Sequence, residues 1–419
     1  MTTSQHQAIG REHRIALVAP DDFCAIIFCK PLCEELRRCG YQSLHTFSPV
    51  GTYAAELAGI PGVHTPIAME RFIAPIADAR YIWQLFRHLR QGRFDTVITF
   101  TTKPNAYGVP VAKLAGVRNV VAAVRGLGAA FSPPEGLADR AVSAFVGALY
   151  HLACRLSNRV WFTNRNDLAL FAQRGYVNPK KALLTKNGID LESFSQEVVS
   201  SARIAQLRKE LGMDDSEQAV IMVARLIWSK GVGEFVEAAR ALRERLPRLR
   251  FLLIAPAEAG SPGSVPVDYV RTAERQANFT WLGFRKDVVD LYALSELAVL
   301  PSYYKEGGYP RALLEPMALG KPVIAADTDD CRGPVEPGRN GYLVPARDAR
   351  ALAEAIAKII EDDRLRAEFG RRSLEKVRSE FDVRRVAREV IAKLGLLNGT
   401  AVPQSGSLPN SAPSPGALG

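Results

Sequence analysis

At 419 residues the chain is too long for one ordinary core and fits two domains of usual size. Hydrophobic residues at 47% and charged residues at 23% exclude a chain disordered throughout. A formal charge of +10, from 54 Lys and Arg against 44 Asp and Glu, suits anionic partners such as nucleotide diphosphates, lipid phosphates or an anionic membrane face.

The opening stretch MTTSQHQAIGREHR has no apolar core of the signal-peptide kind, so a cytoplasmic protein is expected. Short apolar runs then alternate with amphipathic segments: RIALVA, TVITF, VVAAV, VWFTN and ALLT read as parallel strands wrapped by helices. This predicts an α/β, Rossmann-like domain over 12–190. The longest apolar stretch, residues 141–156, contains His151 and Arg155 and falls short of the roughly 20 residues that span a bilayer. Cys24, Cys29, Cys33 and Cys39 lack the paired spacing of a zinc site and read as reduced thiols. A polar linker over 191–217 follows. Alternation restarts with AVIMVA, FLLIA, LAVLPS and PVIAAD, a second Rossmann-like domain over 218–375. Leu352, Ile356, Ile359 and Ile360 share one helical stripe. A helix over 376–397 and a Pro/Ser/Gly-rich tail over 398–419, read as disordered, complete the chain. Ligands of two such sheets belong at the carboxyl ends of their strands, in the cleft between domains.

Two segments carry chemistry. In VARLIWSKGVGEF a strand ends at Ala224, and Arg225 and Lys230 follow before a glycine-rich helix start. Cations there would stabilise the charge that grows on a diphosphate leaving group, the work a divalent metal does elsewhere. In LAVLPSYYKEGGYPRALLEPMALG a strand leads to Glu306, and Gly307 and Gly308 permit close backbone approach to a ligand. Pro310 then suits a helix start, and Glu315 could accept from a ribose diol. The plainer reading of Glu315 is an i,i+4 pair with Arg311 on a solvated helix face.

These residues resemble glycosyltransferase family four. The resemblance runs from Arg14 to Leu397 through TFTTKPNAYG, VRGLG, KNGIDLESF, VARLIWSKG, WLGFRKDVVDLYALSELAVLPSYY, EGGYPRALLEPMALGKPVIAAD and NGYLVPARD. It implies a GT-B fold, two Rossmann-like domains facing across a cleft with C-terminal helices crossing back to the first. It also implies metal-independent, retaining transfer, with Arg225 and Lys230 on the donor diphosphate, Glu315 on the ribose and Glu306 on the donor sugar. Gly307, Gly308 and Arg311 complete the expected donor side; Arg125, Gly126, Lys103 and Asn105 form the expected acceptor side. The TTKPNAYG and VRGLG blocks are similar to those of transferases that build capsule, O-antigen or exopolysaccharide precursors on undecaprenyl diphosphate. Such acceptors are anionic and membrane-bound, so the Arg-rich FRHLRQGR would place the protein on the inner face of the cytoplasmic membrane; its plainer reading is a solvated helix end. A UDP-sugar donor, a saccharide acceptor and no nucleic-acid partner are expected.

Two departures from the family pattern stand out. Eight residues separate Glu306 from Glu315 where seven are usual, because of the extra glycine, and Arg125 stands where many members carry histidine. The Asp-x-Asp spacing within DTDD, residues 327–330, follows the donor motif rather than preceding it and reads as a loop near the donor, not a metal site. No G-x-G-x-x-G opens either domain, which counts against nicotinamide chemistry. A nucleotide-sugar 2-epimerase of the same fold and a non-catalytic scaffold are the competing readings. Arg225, Lys230 and Glu315 together favour an active transferase.

Overall fold

The computed structural model describes residues 13–70, 73–126, 136–258 and 263–397; the expected tail and the Leu127 and Gly128 of VRGLG lie outside them. The N-terminal sheet has seven parallel strands: β1 (Ile15–Val18), β2 (Leu44–Ser48), β3 (Val63–Pro66), β4 (Thr96–Phe100), β5 (Asn119–Val124), β6 (Arg159–Phe162) and β7 (Ala182–Leu184), in the order β3-β2-β1-β4-β5-β6-β7. The C-terminal sheet has six: β8 (Gln218–Val223), β9 (Leu249–Ile254), β10 (Phe279–Trp281), β11 (Leu297–Leu300), β12 (Val323–Ala326) and β13 (Gly341–Val344), in the order β10-β9-β8-β11-β12-β13.

Strands β1, β5, β8, β11 and β12 are near-continuous Val, Ile, Leu and Ala because helices cover both faces of each sheet. Val220, Met222, Phe235, Phe251, Leu352 and Ile356 join one side of the second sheet to its helices. On that stripe Leu352, Ile356 and Ile359 are fully buried, as the periodicity predicted.

Chain order reverses beside β1 in the first sheet, where β4 pairs with β1, and beside β8 in the second, where β11 pairs with β8. Crossovers leave these positions in opposite directions, so a crevice opens beyond the strand ends there. The chain passes between domains at two adjacent points: Ile189 donates its N–H to the Phe381 carbonyl at 2.7 Å, and Val383 donates to the Ile189 carbonyl at 3.0 Å. Beyond that crossing the helix Val383–Lys393 returns to the first domain, burying Ala387, Val390 and Ile391 with Ile15, Leu17, Leu32 and Leu36. Among the described residues no helix is long and apolar enough to cross a membrane.

Candidate active site

The second sheet's switch point holds the two expected cations. After β8 the chain makes a short helical turn, Trp228–Lys230, and Gly231 takes φ +84°; a Cβ there would lie 2.4 Å from the Pro301 carbonyl oxygen, so only glycine lets the β8 turn pack against the end of β11. Lys230 is thereby aimed at the loop after β11. Its Nζ donates to Glu306 Oε1 at 2.6 Å and also to Oε2, and Ser302 Oγ donates to the same Oε1 at 2.6 Å. Both charged side chains are nearly buried, at 11% and 9% exposure, so the pair sits where charge is poorly solvated. Arg225 and Lys230 each approach the ring of Tyr304, at 4.9 Å from its centroid.

The glycine loop is anchored from its own domain by Asp330. Oδ2 of Asp330 accepts from the amides of Glu306 at 2.8 Å and Gly307 at 3.2 Å. Burial raises the Asp330 carboxyl above its ordinary range, against the lowering effect of these amides. The other two aspartates of DTDD are engaged too: Arg332 pairs with Asp327 at 2.7 Å and Asp329 at 2.8 Å, and Asn166 donates to Asp329 at 2.9 Å. Among the described residues no three His, Cys, Asp or Glu side chains gather as a metal-ligand set.

Glu315 lies in the helix Arg311–Ala318 and does pair with Arg311, Nε at 3.0 Å and Nη2 at 2.9 Å, both on Oε1. The plainer reading foresaw that pair on a solvated face; instead Glu315 is only 9% exposed. Burial pushes its carboxyl up and Arg311 opposes the shift. The buried Tyr292 hydroxyl faces the same carboxylate without a hydrogen bond of ordinary geometry. A cavity of about 650 Å³ opens beside Arg311, lined also by Ile26, Ile27, Lys30, Phe194 and Val383.

On the acceptor side the geometry departs from expectation. Asn105 is fully buried in the first domain: its Oδ1 accepts from Thr99 Oγ1 at 2.7 Å and its Nδ2 donates to the Ala123 carbonyl at 2.9 Å. The π-helical turn Pro104–Gly108 rotates it inward, so it ties β4 to β5 and does not line the cleft. Lys103 donates to Asp78 at 2.6 Å and to the Glu70 carbonyl at 2.8 Å, within its own domain. Arg125 is expected on the acceptor side, with a structural arginine as the plainer reading. Its guanidinium lies between the rings of Phe28 at 4.0 Å and Trp161 at 4.4 Å, and donates through Nη1 to Asn187 Oδ1 at 2.9 Å. Burial draws its pKa down to about 10, still charged at neutral pH. Gly126, at φ +95°, does meet the opposite domain: a Cβ on Gly307 would come within 2.7 Å of its Cα.

Asn187, Thr163, Ser302, Tyr304 and Asp330 carry no assigned role in the sequence reading. Asn187 stood in KNGID and Asp330 in DTDD, so the blocks were visible and the partners were not.

Comparison with known proteins adds to this geometry. Residues 28–188 match the glycosyl transferase 4-like domain and residues 203–376 match glycosyl transferases group 1. Over 301 residues the chain is 27% identical to the N,N'-diacetylbacillosaminyl-diphospho-undecaprenol alpha-1,3-N-acetylgalactosaminyltransferase of Campylobacter jejuni, covering 72% of this chain and 77% of that one. It is 26% identical over 294 residues to the UDP-Gal:alpha-D-GlcNAc-diphosphoundecaprenol alpha-1,3-galactosyltransferase of Escherichia coli, covering 70% and 73%. Among solved structures, Anabaena HepE in complex with UDP and glucose superposes with a TM-score of 0.71 at 21% identity, covering 91% of this chain and 100% of that one. WaaG, a glycosyltransferase involved in lipopolysaccharide biosynthesis, gives 0.68 at 15%, covering 92% and 100%. These likenesses establish the GT-B fold. The two matched domains follow one another in the order of the two sheets, a 4-like domain in front of a group 1 domain, and with the two relatives named above they show that the chain is a glycosyltransferase.

Proposed function

We propose that the protein moves a hexose or N-acetylhexosamine from a UDP-sugar to a saccharide carried on undecaprenyl diphosphate, with retention of configuration and without a metal. The observation that carries this is the meeting of Arg225, Lys230 and Glu306 around Tyr304 and the loop after β11, with the buried Glu315 in the helix that this loop leads into. Both relatives named above, which the chain matches over about three quarters of their length, act on diphospho-undecaprenol acceptors. UDP is the donor nucleotide in the name of one and the bound nucleotide in the HepE complex.

In this reading Arg225 and Lys230 hold the diphosphate, and Glu315, with Arg311 engaged only on Oε1, offers its second oxygen to the ribose diol. The bond from the sugar's anomeric carbon to the diphosphate oxygen breaks, and the acceptor hydroxyl attacks from the same face. Its proton passes to the departing phosphate oxygen, so no protein nucleophile or base is required. The two cations meet charge that grows as the bond breaks, which is where electrostatic stabilisation accelerates a reaction.

The acceptor's lipid supports a place at the inner leaflet. On the helix Pro75–Gly92, Ile76 is 82% exposed and Trp83 58%, with Arg80, Arg87 and Arg90 along the same stripe. Phe145 and Leu152 stand exposed on the helix Leu137–Leu156, and both helices pack against Val109–Leu114 between them. Apolar tips ringed by cations suit an anionic bilayer surface.

The test is thermal stabilisation by a panel of nucleoside diphosphates, with and without chelator, repeated on Glu315→Ala. A chelator-insensitive shift with UDP that the variant loses supports the proposal; no shift with any nucleotide contradicts it.

A further inference from the structure

The glycine loop that carries Glu306 is gripped from both domains. Asp330 of its own domain takes the loop's amides. The N-terminal side takes its carbonyls: Thr163 Oγ1 donates to the Gly307 carbonyl at 2.9 Å, and Asn187 Nδ2 donates to those of Gly308 at 2.6 Å and Tyr309 at 3.3 Å. Which end of the Asn187 amide faces the loop is set by Arg125, a donor-only group on Oδ1. Arg125 is itself held against the rings of Phe28 and Trp161.

The extra glycine belongs to this contact. Gly307 and Gly308 take φ +77° and +85°; a Cβ on Gly307 would lie 2.7 Å from Gly126 Cα, and one on Gly308 2.6 Å from Asn164 Cβ. Two consecutive residues without side chains let the loop's backbone touch the opposite domain. Asn187 also lies two residues before Ile189, where the chain crosses between domains. A change of domain angle at that crossing therefore moves Asn187 relative to Gly308.

Resting on the transferase reading, we infer that Asn187, oriented by Arg125 and helped by Thr163, is a positioning residue that latches the Gly307–Gly308 loop to the N-terminal domain, so that closing the cleft sets Glu306 and Lys230 for the donor. Arg125 thus acts through Asn187 and not on the donor itself. Release of the latch frees the loop and the cleft together.

Asn187→Asp keeps the shape and the acceptor for Arg125 but removes the N–H that reaches Gly308 and Tyr309; Thr163→Val removes the other donor at nearly constant volume. Dyes on the two domains report the ligand-free distribution between closed and open clefts by single-molecule energy transfer. The expected result is a shift toward open of about tenfold in Asn187→Asp and a smaller one in Thr163→Val, in proportion to the hydrogen bonds lost. In wild-type and variant turnover with a UDP-sugar, kcat falls at least tenfold in Asn187→Asp while UDP affinity stays within about threefold. Unchanged distributions in both variants overturn the latch, whether or not the protein transfers sugar. UDP affinity that falls as far as kcat overturns it too, since Asn187 would then be serving the donor directly. Wild-type protein that closes as described yet neither binds UDP nor transfers sugar overturns the transferase reading instead.

Discussion

Lys230 and Glu306, 76 positions apart in sequence, meet at 2.6 Å in a pocket that nearly hides both. Each is the other's counter-ion, and a diphosphate carries more charge than one carboxylate, so donor binding is expected to take Lys230 from Glu306 and leave Glu306 to the sugar hydroxyls. Glu306→Gln should then bind UDP as tightly as wild type or several-fold more tightly, while turnover falls. Titration calorimetry with UDP beside a steady-state assay checks this. Weaker UDP binding in the variant would mean that the pair holds the site open rather than competing with the donor.

Glu315 gives a prediction of opposite sign for affinity. Its buried carboxylate is held by Arg311 on one oxygen. Charge-assisted bonds to a ribose diol contribute roughly 1.5–3 kcal/mol each, so Glu315→Ala should weaken UDP by about 10–100-fold. Uracil-free pyrophosphate should bind both forms alike. Equal UDP affinity in the variant would leave Glu315 as an internal partner for Arg311 only.

The glycine pair predicts a separable effect. Gly307→Ala puts a Cβ on a φ of +77° and 2.7 Å from Gly126 Cα, so the loop and the cleft cannot keep their present contact. Turnover should drop at least tenfold, on the scale of 1–2 kcal/mol of strain plus the lost contact. The melting temperature should fall only slightly, because neither sheet core is touched.

Much of this was legible in the sequence, and the misses have physical causes. Parallel strands buried on both faces announce themselves as apolar runs. The missed strands β2 (LHTFS), β3 (VHTP), β10 (FTW) and β13 (GYLV) lie at or next to the sheet edges, where polar residues are tolerated and runs are short. Arg225, Lys230, Glu306 and Glu315 could be placed because strand ends are readable. That Asn105 turns inward and Arg125 stacks on rings could not, since side-chain direction there depends on a π-helical turn and on aromatics distant in sequence, Phe28 and Trp161. Asp330 was visible as one of four residues in DTDD, but its partner amides arise only when β11 and β12 lie side by side.

Asp167 supplies a pH prediction. Burial raises its carboxyl to about 6, with the Asn164 hydrogen bond opposing, Asp330 adding and Lys305 opposing. A carboxyl raised on folding favours the protonated form, so its stabilising contribution is complete below about pH 4 and is lost as pH rises through about 6. Asp167→Asn, neutral throughout, should therefore gain on wild type between pH 4 and 7 and level off above. A shift of about two units corresponds to about 3 kcal/mol at most. Denaturant melts of both proteins across that range test it; a constant difference would mean that Asp167 is solvated enough to ionise freely.

The membrane face is tested by flotation with vesicles. Trp83→Ser with Ile76→Ser should cut binding to phosphatidylglycerol vesicles by about tenfold or more, while neutral vesicles bind poorly in either case and UDP affinity is unaffected. Equal flotation of the double variant would assign the exposed stripe to something other than a bilayer.

The most direct measurement is transfer itself: a panel of UDP-sugars with a saccharide on undecaprenyl diphosphate as acceptor, in excess chelator, comparing wild type with Lys230→Ala and reading the anomeric configuration of the product. The account predicts an α-linked product from an α-configured donor, undiminished by chelator, and a loss on the order of 100-fold or more in the variant. Inverted product, transfer abolished by chelator, or a variant as fast as wild type would contradict it.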